Sequence, residues 1–210
     1  MRSDYRTVKQ QAEDEIIINK SRFIASVKRT ETEEEALAFI QHIKQVHASA
    51  THNCSAYLVG EHDQIQKAND DGEPSGTAGV PMLEVLKKQG LKDTTVVVTR
   101  YFGGIKLGGG GLIRAYGRSA SAGVAAAGTV ERRLHSTMHV TVDYTALGKV
   151  ENEVRQSAWP LDGIDYGEQV TLSISVPVTE VGEFTRWVAD LTNGQAAVVE
   201  GAQKFLEFSV

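Results

Sequence analysis

At 210 residues and 41% hydrophobic content, the chain suits one large globular domain or two small ones. A single cysteine, Cys54, excludes an intramolecular disulfide and fits a reducing cytosol. Residues 1–14 are too polar for a secretory signal, and no apolar run approaches the ~20 residues that cross a bilayer, so a soluble cytoplasmic protein is expected.

The first half reads as a mixed sheet with helices. Residues 16–18 and 23–27 have the β-branched and aromatic content of two short strands. Thr32 then opens a helix, with Glu35 three residues on as its capping-box partner, and Leu37, Ile40 and Ile43 continue it at helical spacing. Residues 54–59 form the next strand, and 65–68 pair with it across a polar turn. A polar loop spans 69–79. Pro81 opens a short helix that Gly90 stops, as a first-position proline and a C-terminal glycine would. Residues 94–101 are the central strand. Six glycines follow within residues 103–111, and a helix over 111–127 is rich in alanine, glycine and serine. With so little side-chain bulk, that helix must approach its sheet closely.

Residues 128–136 read as a connector, after which the pattern changes. A strand at 138–142, a helix at 144–158, a hairpin of 164–166 with 170–176, a helix at 180–191, an Asn193-Gly194 turn and a strand at 197–208 follow. That β-α-β-β-α-β order is the ferredoxin-like arrangement. Two domains are expected, 1–133 and 134–210, in an α+β class.

The net charge of −5 conceals an asymmetry. Residues 1–133 hold 18 Lys and Arg against 16 Asp and Glu, whereas 134–210 hold 4 against 11. From Arg100 to Arg133 there are six basic residues and one acid, Glu131. Local sign of this kind governs where a polyanion docks.

Most catalytic signatures are absent. The glycine run lacks the sixth-position glycine or alanine of a dinucleotide fingerprint, and no glycine precedes the Lys-Ser or Lys-Thr of a P-loop. Ser119 falls within a helix and not on a nucleophile elbow. His47, His52 and Cys54 cluster in sequence, but no second ligand pair at zinc spacing accompanies them, so a helix-end histidine and a buried thiol are expected. The 69–79 loop is more open to interpretation. Asp70, Asp71 and Glu73 could serve a hard cation or acid–base chemistry, or could cap turns and pair with arginine, with Glu73 or Asp71 against Arg100 as the specific pair.

The glycine-rich segment points toward a phosphate-bearing partner. Its main-chain amides can form a nest beside the positive end of the following helix. Arg100, Lys106, Arg114 and Arg118 would hold phosphates, while Gly103, Gly104, Gly108, Gly109, Gly110 and Gly111 let a backbone approach; Tyr101 and Tyr116 offer rings for stacking. Arg114 and Arg118, four apart, share one face and are expected on the exposed side.

The run from Gly79 through Met82, Leu83, Leu86 and Leu91, then residues 97–108 (Val-Val-Thr-Arg-Tyr-Phe-Gly-Gly-Ile-Lys-Leu-Gly), resembles the signature of the Impact family of the bacterial YigZ type. Residues 71–79 are similar to its other hallmark. The resemblance covers residues 14–128, and the second half resembles the small ferredoxin-like domain that follows in bacterial members. It implies an N-terminal fold similar to domain IV of elongation factor G and a C-terminal fold similar to domain V, both of which work against the ribosome. Eukaryotic relatives regulate translation, and no established catalytic residues come with the family. The expectation is therefore a non-enzymatic translation-associated regulator that binds RNA or the ribosome, needs no cofactor or metal and has no membrane role. Two alternatives stay open: an enzyme acting on a phosphorylated small molecule through Asp70, Asp71 and Glu73, and a module whose acidic C-terminal domain recruits a protein partner.

Overall fold

The structure, a computed structural model, describes residues 4–210. The chain forms two compact units, Asp4–Glu131 with Phe208–Val210, and Arg132–Glu207. Among the described residues no helix is long and apolar enough to cross a membrane.

The first unit contains β1 (Tyr5–Val8), β2 (Ala12–Ile18), β3 (Ser21–Arg29), α1 (Glu33–Val46), β4 (His52–Val59), β5 (Ile65–Asn69), α2 (Gly79–Lys88), β6 (Thr94–Tyr101) and α3 (Gly108–Ala127). Its main sheet runs β2-β3-β6-β4-β5. The expected mixed sheet is corrected here, because every one of these pairings is antiparallel. The crossover through α1 does leave β3 and β4 running the same way. They are not neighbours, however: β6 inserts between them in the opposite direction and satisfies both edges. β1, which the polar N-terminal sequence concealed, makes an isolated parallel bridge from Arg6 to Leu91.

Both faces of the sheet are covered. On one, α2 and α3 close over Phe23, Ala25, Val27, Cys54, Leu58, Val96 and Val98. On the other, Phe39, Ile40 and Ile43 of α1 meet Tyr57, Val59 and Val97. Hence β6 is buried along all but its last residue, with Val96, Val97 and Val98 at its centre.

The helix ends follow local chemistry. Thr32 caps α1 by accepting from the Glu35 amide at 3.2 Å; the Glu35 carboxylate accepts from Glu31 and not from the cap residue itself, at 2.7 Å. Pro81 lies at the third position of α2, not its first, where its missing N–H is still one of the four that no helical carbonyl can satisfy. Helix α3 begins three residues earlier than its side chains suggest, so Gly108 to Gly110 form its first turn. At Gly123 the close approach is explicit: a Cβ there would lie 2.8 Å from the Ala25 Cβ and 2.9 Å from a Val27 methyl.

The second unit is built on β7 (Thr129–Val142), α4 (Tyr144–Gln156), β8 (Leu161–Tyr166), β9 (Val170–Pro177), α5 (Val181–Thr192) and β10 (Ala197–Ser209). Its own strands take the order β10-β7-β9-β8, within a five-stranded sheet whose remaining strand, β1, also pairs with β7. Residues 128–136 are not a connector. Gly128, at φ +66°, ends α3, and β7 starts at the next residue, with Val130 and Leu134 buried and the charged residues between them at more accessible positions. Those charges disguised a strand as a polar linker. The core of this unit gathers Met138, Val140, Val150, Leu172, Ile174 and Phe184, with Trp159 packed edge-on to Phe184 at 5.0 Å.

Candidate nucleic-acid interface

The end of β6, the 69–79 loop and the start of α3 meet at one end of the first sheet. There Arg100 is only 5% exposed, and its Nη1 donates to Glu73 Oε1 at 2.6 Å. Tyr116 of α3 donates its hydroxyl to the same carboxylate oxygen at 2.7 Å. The guanidinium lies between two rings, 5.4 Å from the Phe23 centroid and 5.4 Å from that of Phe102. His52 completes the wall: its Nδ1 donates to the Asp71 carbonyl at 2.8 Å, and its Nε2 faces Glu73 Oε2 at 3.8 Å.

The three loop carboxylates each have protein partners. Asp70 accepts from the amides of Gly76, Ala78 and Gly79 at 2.8–3.0 Å, folding the loop around itself and seating the start of α2. Burial alone would raise its pKa, but these amide donors outweigh it and hold the carboxyl below the usual value. Asp71 behaves likewise, with burial overcome by Lys44 at 2.7 Å and by the Asn53 amide at 2.7 Å. Of the two acids expected to pair with Arg100, Glu73 makes the contact. Cys54 donates to the Asp70 carbonyl, and burial pushes its thiol up to about 12. His47 caps the C-terminus of α1, with its Nδ1 2.9 Å from the Tyr101 hydroxyl.

The expected phosphate-holding set therefore divides. Arg100 drops out of any exposed surface, because it is buried and committed to Glu73. Tyr116 is fully buried and offers no stacking face. Gly103 serves packing: a Cβ there would collide with the Lys20 carbonyl group at 2.0–2.1 Å, and its amide donates to Ser21 Oγ. Gly111 is similarly constrained by the Leu107 Cβ at 3.0 Å.

The others lie in the open. Lys106, Arg114 and Arg118 are exposed, and none forms an ion pair among the described residues. Gly104 and Gly108 take positive φ values of 85° and 70° with open space around them, and Gly109 and Gly110 are exposed in the first turn of α3. That turn has no acidic residue and no side-chain cap, so its amides and the positive end of the helix dipole face outward unopposed. A shallow depression of about 350 Å³ beside Asn19 is bordered by both Arg114 and Arg118. The arrangement can receive an anion through charge and main-chain donors together.

Sequence reasoning missed two contributors. The sequence suggests no binding role for His52 beyond a metal ligand, and none for Phe102. An aromatic residue directly before the glycines 103 and 104 is the available sequence signal for the second; its half-exposure belongs to the structure.

Comparison with known proteins matches two stretches of the chain. Residues 19–124 match the Impact N-terminal domain, and residues 140–195 match a domain of unknown function, DUF1949. The chain is 59% identical over 210 residues to the IMPACT family member YvyE of Bacillus subtilis, covering all of this chain and 97% of that protein. It is 36% identical over 179 residues to the IMPACT family member YigZ of Escherichia coli, covering 84% and 88%. A solved structure described as that of a hypothetical protein aligns over 96% of this chain and 99% of its own, with a TM-score of 0.62 and 32% identity. With its first half matching the family's domain model and its whole length matching a curated member, the chain belongs to the Impact family.

Proposed function

We propose that this protein is a non-enzymatic, cytoplasmic regulator associated with translation, which binds RNA or the ribosome through the exposed face around the start of α3. The observation that carries this reading is the set of three unpaired exposed cations, Lys106, Arg114 and Arg118, beside a helix N-terminus with no acid in its first turn. Family membership supports it, through the translational role that the resemblance to eukaryotic relatives implies. The β10-β7-β9-β8 order supports a ferredoxin-like reading of the second domain, similar to domain V of elongation factor G, with the first similar to domain IV. We place the boundary so that 1–133 carries the RNA-binding face and 134–210 is the acidic companion.

Contacts of this kind read phosphates and shape, not base sequence. The test is a filter-binding titration of the full chain against a short RNA hairpin over a range of salt. Arg114→Ala with Arg118→Ala should weaken binding and flatten the slope of log K against log salt by about one to two units. An unchanged slope, or no binding by the parent protein at low salt, overturns the reading.

A further inference from the structure

We propose that a second site lies next to the cationic face and takes a single nucleotide unit, with its phosphate at the first turn of α3 and its base on the free face of Phe102. A cavity of about 440 Å³ opens between the 69–79 loop and the start of α3, bordered by His52, Glu73, Pro74, Arg100, Phe102 and Lys106, with Leu107 to Gly109 and Leu112 closing its far side. Its size lies within the range of small-molecule sites. Its two ends differ in chemistry.

At the polar end, the uncapped first turn of α3 supplies main-chain donors, and Lys106 supplies a charge with no acidic partner. The buried Glu73 charge is matched by Arg100, so the local balance is positive. Arg100, 5% exposed and part of the cavity wall, also has an Nε with no hydrogen-bond acceptor among the described residues. A buried guanidinium donor without an acceptor is rare in a finished protein interior. His52 gives Nδ1–H to the Asp71 carbonyl, which can only accept, so its Nε2 is the nitrogen turned to Glu73 and the cavity wall.

The apolar end is a fixed platform. Phe102 is 47% exposed even though its main chain is pinned, the amide donating to Thr51 Oγ1 at 3.0 Å. The Arg100 guanidinium covers the ring from one side at 5.4 Å. A ring held in this way presents its other face at little entropic cost. Pro74, Leu107 and Leu112 supply the remaining apolar wall.

A phosphate alone would use the first end and leave the second idle; an apolar ligand would do the reverse. A nucleotide uses both, since every base has a face that stacks on an aromatic ring. The unit could come from a free mononucleotide or from one unstacked position of an RNA strand. The inference goes beyond the preceding reading: it shares Lys106 with it but stands even if Arg114 and Arg118 prove idle.

The test is titration of the ¹⁵N-labelled full chain with AMP, with inorganic phosphate and with 5′-phosphorylated hexa-adenylate, following the amides of Phe102 and Gly108–Gly110. Saturable shifts with AMP identify a free-nucleotide site, and shifts with the hexamer alone identify an RNA position. In either case Phe102→Ala should weaken binding about tenfold. Gly109→Asp, which places a carboxylate in the first turn where a Cβ has room, should abolish binding without lowering thermal stability. Arg114→Ala with Arg118→Ala should weaken the hexamer and leave AMP unchanged, which separates failure of this site from failure of the cationic face. The proposal is overturned if neither nucleotide shifts these amides, if Phe102→Ala binds as well as the parent, or if inorganic phosphate reproduces the full response.

Discussion

Arg100 and the pair Arg114 and Arg118 belong to one glycine-rich segment, yet the fold gives them opposite fates. Arg100 ends a central strand, so its side chain starts inside the sheet and must find its counter-ion there; Glu73 is that counter-ion. Arg114 and Arg118 lie on the outer face of α3, where water solvates them and no partner is required. The same residue type thus builds the wall in one place and furnishes the surface in the other. Position relative to the sheet decides which, and not the charge count.

Several measurements would break or sharpen that contrast, and all can be read from urea unfolding of the full chain. The largest effect is expected on the buried side: Glu73→Ala strands the Arg100 guanidinium and should cost about 3–5 kcal/mol. Arg100→Met with Glu73→Met should recover much of that loss, because an apolar pair leaves no uncompensated charge. Next, Asp70→Ala removes the acceptor for three amides and should cost about 2–3 kcal/mol. The pH dependence has a defined sign. Asp70 and Asp71 are held below their ordinary pKa, so the stability they confer is complete above about pH 4 and is lost as pH falls through the lowered folded-state values. Asp70→Asn should therefore flatten the acid limb of the stability profile. Third, Gly123→Ala forces a methyl against Ala25 and Val27 and should cost about 1–3 kcal/mol. The smallest effect belongs to the surface: Arg114→Ala with Arg118→Ala should change stability by no more than about 0.5 kcal/mol. A larger loss there would mean that those cations also belong to the wall.

Most elements were legible because their signals are local. The β-branched run of β6, the Thr32 cap and the alternation of β9 need no knowledge of distant residues. The close-packing role of the Ala/Gly/Ser helix also follows from composition, as Gly123 shows. What composition could not supply was adjacency. Insertion of β6 between β3 and β4 is a long-range pairing, so an antiparallel sheet read as a mixed one. The charged stretch at the start of β7 resembled a linker because alternate exposure along one strand cannot be told from uniform exposure without its neighbours. At the site, the acid–arginine pair could be named as a candidate, since Glu73 falls in a polar loop and Arg100 is the one charged residue of a β-branched strand. The depth of that pair, and so the withdrawal of Arg100 from the surface, depended on which residues close over it.

Cys54 has a practical consequence. Its thiol is buried in the first sheet with a pKa pushed up to about 12, so almost none is ionised near neutral pH while the strand is in place. A disulfide reagent should react only with molecules in which β4 or the layer of α2, α3 and the 69–79 loop over it has opened, and with one cysteine per chain each reaction event marks a single such opening. The protein thereby carries its own stopwatch for the opening of this core, with no label to engineer and no second thiol to blur the trace.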